Sequence, residues 1–333
     1  MSKFAFAIPD HKVFGIEDET LGDSVWLHLK NLCSDFGEEP VNVSPTRFSD
    51  TSFKIELDRS VRNKIVYLFV APYMNASDQF MLTAQAIDAC RAADSDAVYL
   101  METYNPWYAQ DKRDTGVKES VSGKIVARTY ISQGLRRLFY FEPHSSEALH
   151  GWYDSFDPLY MAAFHANNLA SEFELTDSVV GIPDDGSSKR AKYLSKALGV
   201  KLVKIGKTRD HDKPEEAEAM PINTNLHKKT VFLYDDMIRT GKTAIETSKA
   251  AKDAGAERVI YVATHLGIYQ PDKLFGCPSI DFIRGAKTIP RHPTHEKLQE
   301  YDIADFAAQI IYRKTHDLDV SGYIMRLAPA HKA

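Results

Sequence analysis

Asp235 and Asp236 are followed by Met-Ile-Arg-Thr-Gly-Lys-Thr, residues 237–243, and this short stretch carries the groups needed to hold a phosphorylated sugar. The apolar run before it reads as a buried strand and the segment 243–255 after it as a helix. A helix N-terminus presents unpaired N–H groups and a partial positive charge, which suits a phosphate, and Gly241 lets the backbone approach it. Thr240 and Thr243 add hydroxyl donors, while Arg239 and Lys242 add positive charge. The two carboxylates at the strand's end can hold ribose hydroxyls directly, or through an oxygen-ligated divalent cation such as Mg2+. A nucleotide P-loop is excluded, because G-x-x-x-x-G-K-T requires glycine where Asp236 stands. Taken alone, DD and GKT fit a plain strand-to-helix turn with acidic cap residues equally well.

The elements that must position these groups follow from hydrophobic periodicity. In the first half, strand-like runs at 64–72, 97–104 and 136–143 alternate with longer patterns, including a helix-like segment at 81–94 and the segment 121–134. The second half repeats the alternation. Residues 178–184 lead to a helical 189–199, then to the strand-like KLVKIG, the run into Asp235 and Asp236, the helix-like 243–255 and the strand-like 257–267. Such alternation is the signature of βαβ units around a parallel sheet, so two similar α/β halves joined near residues 154–160 are expected. The most polar interval, 207–229, mixes both charge signs with Pro214 and Pro221. It reads either as an exposed loop or as a lid that brings basic groups to a phosphate.

Length and composition agree with this layout. At 333 residues the chain is long for one core, and domain sizes of about 100 to 200 residues point to two. Its 44% hydrophobic and 26% charged residues describe an ordinary globular protein, and no apolar run approaches the ~20 residues of a bilayer span. Lys3 and the short FAFAI run before Pro9 are too brief for a secretory h-region of about 7 to 15 residues, so a cytoplasmic location is expected. A formal net charge of -5 gives no electrostatic footprint for duplex nucleic acid. Cys33, Cys90 and Cys277 lie far apart with no CxxC spacing, so neither a zinc site nor a disulfide framework is expected, and buried reduced thiols are the default.

The order of motifs from about residue 46 to about residue 323 resembles that of the ribose-phosphate diphosphokinases, also called phosphoribosyl-diphosphate synthetases. Their ribose-5-phosphate loop, DDxxDTxxT, is similar to Asp235, Asp236, Arg239, Thr240, Gly241, Lys242 and Thr243. Their diphosphate loop, PDxGxxKR, resembles Pro183-Asp184-Asp185-Gly186-Ser187-Ser188-Lys189-Arg190, with Asp184 positioning Mg2+ and Ser187 in place of a usual glycine. The catalytic K-x-R looks like Lys207-Thr208-Arg209, whose two cations would stabilise the phosphoryl group in flight. In the first half, the ATP loop is similar to Tyr108-Ala109-Gln110-Asp111-Lys112-Arg113, and a metal-linked histidine motif to Glu142-Pro143-His144. The loop that reaches a neighbouring subunit's adenine resembles Arg47-Phe48-Ser49-Asp50.

The resemblance implies two tandem type I phosphoribosyltransferase-like domains, at 1–156 and 157–333, each a mainly parallel sheet flanked by helices. It implies transfer of the β,γ-diphosphoryl group of MgATP to the anomeric hydroxyl of ribose 5-phosphate, with AMP leaving. Two Mg2+ ions per site and a homo-oligomer built on dimers, a hexamer among them, are also implied. Three departures bear on the substrate. Arg239 replaces the third acid of DDxxDTxxT, the family's arginine after Tyr-Ala is missing beside Ala109, and Asp50 and Ser52 replace a usual Asn and Glu. Arginine favours bidentate phosphate contacts, so Arg239 reads either as a loop residue pointing to solvent or as a contact to an acceptor with more negative charge than ribose 5-phosphate. The resemblance to divergent members of the family implies ADP-ribose, which extends ribose 5-phosphate by AMP, as that alternative acceptor, in NAD-related salvage. A phosphoribosyltransferase would share the DD…TGxT loop but has no role for the first-half motifs. A non-catalytic regulatory subunit should lack Lys207 and Arg209, which are present.

Overall fold

In the computed structural model, which describes residues 2–16, 19–205, 225–290 and 294–329, the alternating runs become two mostly parallel sheets. The first has seven strands in the order β3-β2-β1-β4-β5-β6-β7. They are β1 (Phe4–Pro9), β2 (Val41–Arg47), β3 (Phe53–Leu57), β4 (Ile65–Val70), β5 (Ala97–Glu102), β6 (Leu135–Phe141) and β7 (Phe156–Leu159). All neighbours pair in parallel except β2 and β3, which form an antiparallel hairpin at the edge. Helices α1 (Leu21–Leu32), α2 (Ala76–Ala92), α3 (Ser122–Ser132) and α4 (Ser146–Trp152) connect them. The FAFAI run is most of β1, paired on both sides and buried from Ala5 onward. Helix α2 begins five residues before the expected 81–94 segment, because Asn75 accepts from the N–H groups of Ser77 and Asp78 and so caps an earlier start.

The second sheet has six parallel strands in the order β13-β12-β11-β10-β8-β9. These are β8 (Ser178–Ile182), β9 (Lys201–Lys204), β10 (Thr230–Ile238), β11 (Arg258–Leu266), β12 (Phe282–Ala286) and β13 (Leu298–Tyr301). Strands β10 and β11 are almost wholly buried, as near-continuous apolar runs in a parallel sheet should be. With this sheet go α5 (Ala162–Glu172), α6 (Ser188–Leu198), α7 (Lys242–Asp253) and α8 (Pro271–Phe275). The expected helices at 189–199 and 243–255 are thus α6 and α7, each within two residues.

The chain divides into two units. One comprises Met1–Leu159, Thr288–Pro290 and Ile303–Val320, the other Tyr160–Lys287, Arg291–Asp302 and Ser321–Ala333. The chain first crosses between Leu159 and Tyr160, three residues beyond the boundary expected at 156–157, and returns to the first unit through α9 (Ala304–Thr315). Helix α9 carries a buried stripe of Phe306, Ala307, Ile310 and Ile311, with Phe306 against Phe141 at a ring separation of 5.9 Å. Burial of that stripe brings the helix back to the first unit's α1. Among the described residues no helix is long and apolar enough to cross a membrane.

Candidate active site

In an open α/β sheet, ligands bind outside the carboxyl ends of the strands where the chain order reverses. In the second unit that point lies between β8 and β10. The chain leaves β8 for the edge strand β9 on one side and leaves β10 for β11 on the other. The ladder between β8 and β10 ends at Gly181 and Leu233, while β10 stays paired with β11 as far as Ile238 and Leu266. Asp235 and Asp236 therefore lie inside an extended strand whose β8 side has opened, rather than in a loop after it.

Of the two carboxylates of β10 in this crevice, Asp235 is half-buried and Asp236 is buried. Asp236 is 3% exposed, and Arg190 Nη2 stands 3.5 Å from its Oδ2. Tyr261 of β11 donates its hydroxyl to Asp235 Oδ2 at 3.2 Å. Burial, and then the charges of Asp236 and Asp184, push the Asp235 carboxyl up to about 8. Three carboxylates, two from β10 and one from the turn after β8, thus converge closely enough to feel one another. Arg190 and Tyr261 were not among the candidate binding residues. Arg190 lies in the quoted diphosphate motif, but the signal for Tyr261 exists only in space.

The diphosphate candidates sit in the turn between β8 and α6. Asp184, Asp185 and Gly186 are exposed, whereas Ser187 is fully buried. Ser187 N donates to Asp184 Oδ1 at 2.9 Å, its hydroxyl donates to Asp184 O at 2.9 Å, and Asp184 N donates back to Ser187 Oγ at 3.1 Å. Ser187 thereby shapes the turn rather than facing out of it. Lys204 Nζ reaches Asp185 Oδ1 at 3.1 Å. Lys207 and Arg209 lie outside the described residues.

The ribose-phosphate candidates occupy the turn from β10 into α7. Arg239, Thr240 and Lys242 are exposed, Thr243 is half-buried and Gly241 is buried. Gly241 has φ +78°, and a Cβ there would come within 2.9 Å of Leu274, so only glycine suits the position. The first turn of α7 holds no acidic residue, and Gly241 offers no side-chain cap. The helix N–H groups are therefore left for an anion. The turn is held from behind by Gly267 N on Ile238 O at 2.8 Å and Tyr269 N on Arg239 O at 2.9 Å.

In the first unit, the motif residues all follow carboxyl ends of parallel strands: β2, β5 and β6. Phe48, at the turn of the β2–β3 hairpin, is 49% exposed and so is no core residue. Asp50 Oδ1 accepts from Ser52 N at 3.0 Å and Ser52 Oγ at 2.6 Å, which holds its carboxyl below the usual range. Gln110 and Lys112 are exposed and Asp111 is half-buried, and Gln110 Oε1 accepts from Ser122 Oγ at 2.6 Å. His144 is exposed between β6 and α4.

Ahead of the Gln110–Arg113 segment stands a buried carboxyl without a sequence signal. Glu102, at the end of β5, has no exposure, and burial pushes it up to about 8. Its Oε1 accepts from Asn105 Nδ2 at 3.0 Å and from the Tyr130 hydroxyl at 3.5 Å, while Oε2 has no partner. Asn105 in turn receives Trp107 N at 3.1 Å and donates its own N–H to the Tyr140 hydroxyl at 2.9 Å. The Tyr108 and Tyr153 hydroxyls meet at 2.7 Å. This network fixes the short turn Pro106–Ala109, from which the Gln110 segment departs.

Comparison with known proteins is consistent with both units. Residues 22–134 match the N-terminal domain of ribose phosphate pyrophosphokinase, and residues 158–276 match the phosphoribosyl transferase domain. Among curated relatives, the ribose-phosphate pyrophosphokinase of Mycoplasma genitalium is 26% identical, over 90% of this chain and 91% of that protein. That of Thermotoga maritima is 27% identical, over 83% and 87%. The crystal structure of phosphoribosylpyrophosphate synthetase from Mycobacterium smegmatis superposes with a TM-score of 0.76 at 22% identity, covering 95% of this chain and all of that one. This last likeness establishes the fold as two phosphoribosyltransferase-like domains.

Proposed function

Because the chain belongs to the ribose-phosphate pyrophosphokinase family of transferases, we propose that it transfers the β,γ-diphosphoryl group of MgATP to the anomeric hydroxyl of ribose 5-phosphate, releasing AMP. One observation carries this reading. Asp184, Asp235 and Asp236 gather at the reversal point of the second sheet, and the strand bearing two of them runs straight into the uncapped N-terminus of α7. One crevice therefore offers acids for sugar hydroxyls and N–H groups for a 5-phosphate.

In this reading, Thr240, Gly241, Lys242 and Thr243 bind the phosphate, and Asp235 and Asp236 orient the ribose. Asp184, Asp185 and Gly186 line the diphosphate position, with Ser187 bracing the turn. Lys207 and Arg209 supply charge in the transition state, where phosphoryl transfer needs positioning and neutralisation rather than a strong base. Phe48, Asp50, Gln110, Asp111, Lys112 and His144 serve ATP, and exposed Phe48 suits a side chain offered to another copy in a dimer-based homo-oligomer.

The donor set fits Mg2+. Carboxylates crowded enough to raise one another's proton affinity are those a hard, oxygen-ligated cation would relieve, with Asp184 one ligand, while in the first unit exposed His144 is the candidate donor to a second ion. When bound, Mg2+ supplies neutralisation of phosphate charge.

Incubation with MgATP and ribose 5-phosphate should yield AMP and a product two phosphates richer. Retention of all three ATP phosphates on adenosine would sink the proposal. In the double variant Asp235→Asn with Asp236→Asn, the apparent KM for the acceptor should rise about tenfold or more, as expected for lost charge-assisted hydrogen bonds. An unchanged KM would remove the ribose from these two residues.

A second acceptor, ADP-ribose, is favoured by one feature. Arg239 and Lys242 are both exposed on the loop, so two cations stand by the 5-phosphate position, where the AMP extension of ADP-ribose adds negative charge. Arg239→Asp, which restores the family's acid, should lower turnover with ADP-ribose relative to ribose 5-phosphate by about tenfold, the scale of one charged hydrogen bond. A parent chain that turns over ribose 5-phosphate and not ADP-ribose would exclude this acceptor.

A further inference from the structure

The fold brings together three ligating groups that the sequence keeps far apart. Cys33 ends α1, Asp35 stands two residues on, and His316 ends α9. All three belong to the first unit, and one donor atom from each lies within 4.8 Å of the others. Among the described residues this is the one group of three or more His, Cys, Asp or Glu side chains so arranged.

We propose that Cys33 Sγ, an Asp35 carboxylate oxygen and His316 Nε2 form a binding site for a zinc-class divalent cation, with water as fourth ligand. Tetrahedral Zn2+ has bonds of about 2.0 to 2.3 Å to N, O and S, so its ligand atoms stand about 3.3 to 3.6 Å from one another. The His316 Nε2 to Asp35 Oδ2 distance is 3.2 Å, already close to one edge of that tetrahedron. The other edges are at most 4.8 Å, and all three positions are half-buried or exposed.

The mixed thiolate, imidazole and carboxylate set selects zinc-like metals over Mg2+, which takes oxygen ligands and keeps its waters. The site is thus chemically separate from the carboxylate crevice in the second unit. Burial raises the Cys33 thiol, so the free residue carries its proton. Metal binding replaces that S–H bond with a metal–sulfur bond and releases the proton to solvent. The other cysteines, Cys90 and Cys277, are buried and take no part. The metal would tie the end of α9 to the end of α1.

The test uses untagged, chelator-stripped protein titrated with Co2+ as a spectroscopic stand-in for Zn2+. One equivalent should bind in tetrahedral form, giving intense visible bands and a thiolate-to-cobalt charge-transfer band in the near ultraviolet. Zn2+ should abolish both, and millimolar Mg2+ should leave them unchanged. Cys33→Ser should remove the charge-transfer band, and His316→Ala should weaken Co2+ binding at least tenfold. Absence of the band in the parent chain, its persistence in Cys33→Ser, or unchanged affinity in His316→Ala would overturn the assignment.

Discussion

Lys207→Ala is expected to lower turnover by about 10² to 10³-fold, the scale on which removing one preorganised charge stabiliser acts, while leaving the melting temperature unchanged. In the proposed reaction the transferred group spreads negative charge over its equatorial oxygens as the α–β bridge breaks, and a cation that meets it only there affects kcat rather than substrate affinity. The KM values for MgATP and for the acceptor should therefore change little, with kcat and kcat/KM falling together. Steady-state kinetics with both substrates, beside a thermal melt, separates this from unfolding. Lys207 lies outside the described residues, so its role rests on its position in the K-x-R motif after β9. Near-normal turnover would take the catalytic charge away from that motif. Lys204, paired with Asp185 at the end of β9, would then be the cation to replace.

The second large effect concerns stability and pH. Glu102 is pushed up to about 8 by complete burial, against an ordinary value of 4.5. Between those values the folded chain keeps a proton that the unfolded chain has released. The unfolded state thus binds fewer protons, and stability falls as pH rises through the window. Below about 4.5 both states are protonated at this site and the penalty vanishes. Glu102→Gln removes the titration while keeping an amide that the Asn105 and Tyr130 groups can still meet. From pH 5.5 to 8, the variant should gain on the parent chain by on the order of 3 kcal/mol, from about 1.4 kcal/mol per pH unit. Urea melts at several pH values give the difference directly. A constant difference across that range would mean that Glu102 stays ionised. Because Asn105 holds the turn before Gln110, Glu102→Ala should also loosen the Gln110–Arg113 segment proposed to bind ATP, visible as a raised KM for MgATP.

Much of the second unit was legible in the sequence. Residues 189–199 and 243–255 carry helical periodicity, 178–184 and the run into Asp235 are continuous apolar stretches, and each lies where α6, α7, β8 and β10 stand. These signals are local: side-chain period and cap residues act within one turn or one strand pair. The glycine at 241 was equally legible, since a strand that must enter a helix beside a ligand needs a residue free of Cβ. The first unit was less so. FAFAI is too short to distinguish a strand from any other apolar run, and Phe48 could not be separated from a core phenylalanine before the hairpin exposed it.

The sequence by itself determined the alternation of elements, the two α/β halves and the residue types at each strand end, because these depend on neighbours a few positions away. Tertiary structure alone decided which of those groups share an environment. Asp184 lies in the turn after β8 and Asp235 within β10, and their repulsion exists only because β8 and β10 are sheet neighbours that part at the reversal point. The Tyr261 hydroxyl reaches Asp235 only through the ladder between β10 and β11. Glu102 reads as a hydrophilic residue at a strand end until packing removes all water from it. The cysteine spacing argued against a metal site, yet α9 folds back to place His316 beside Cys33 and Asp35, leaving that thiol half-buried rather than fully so. Proton affinity and metal ligation depend on distance and desolvation, which fall off within a few ångströms of space and bear no fixed relation to separation along the chain.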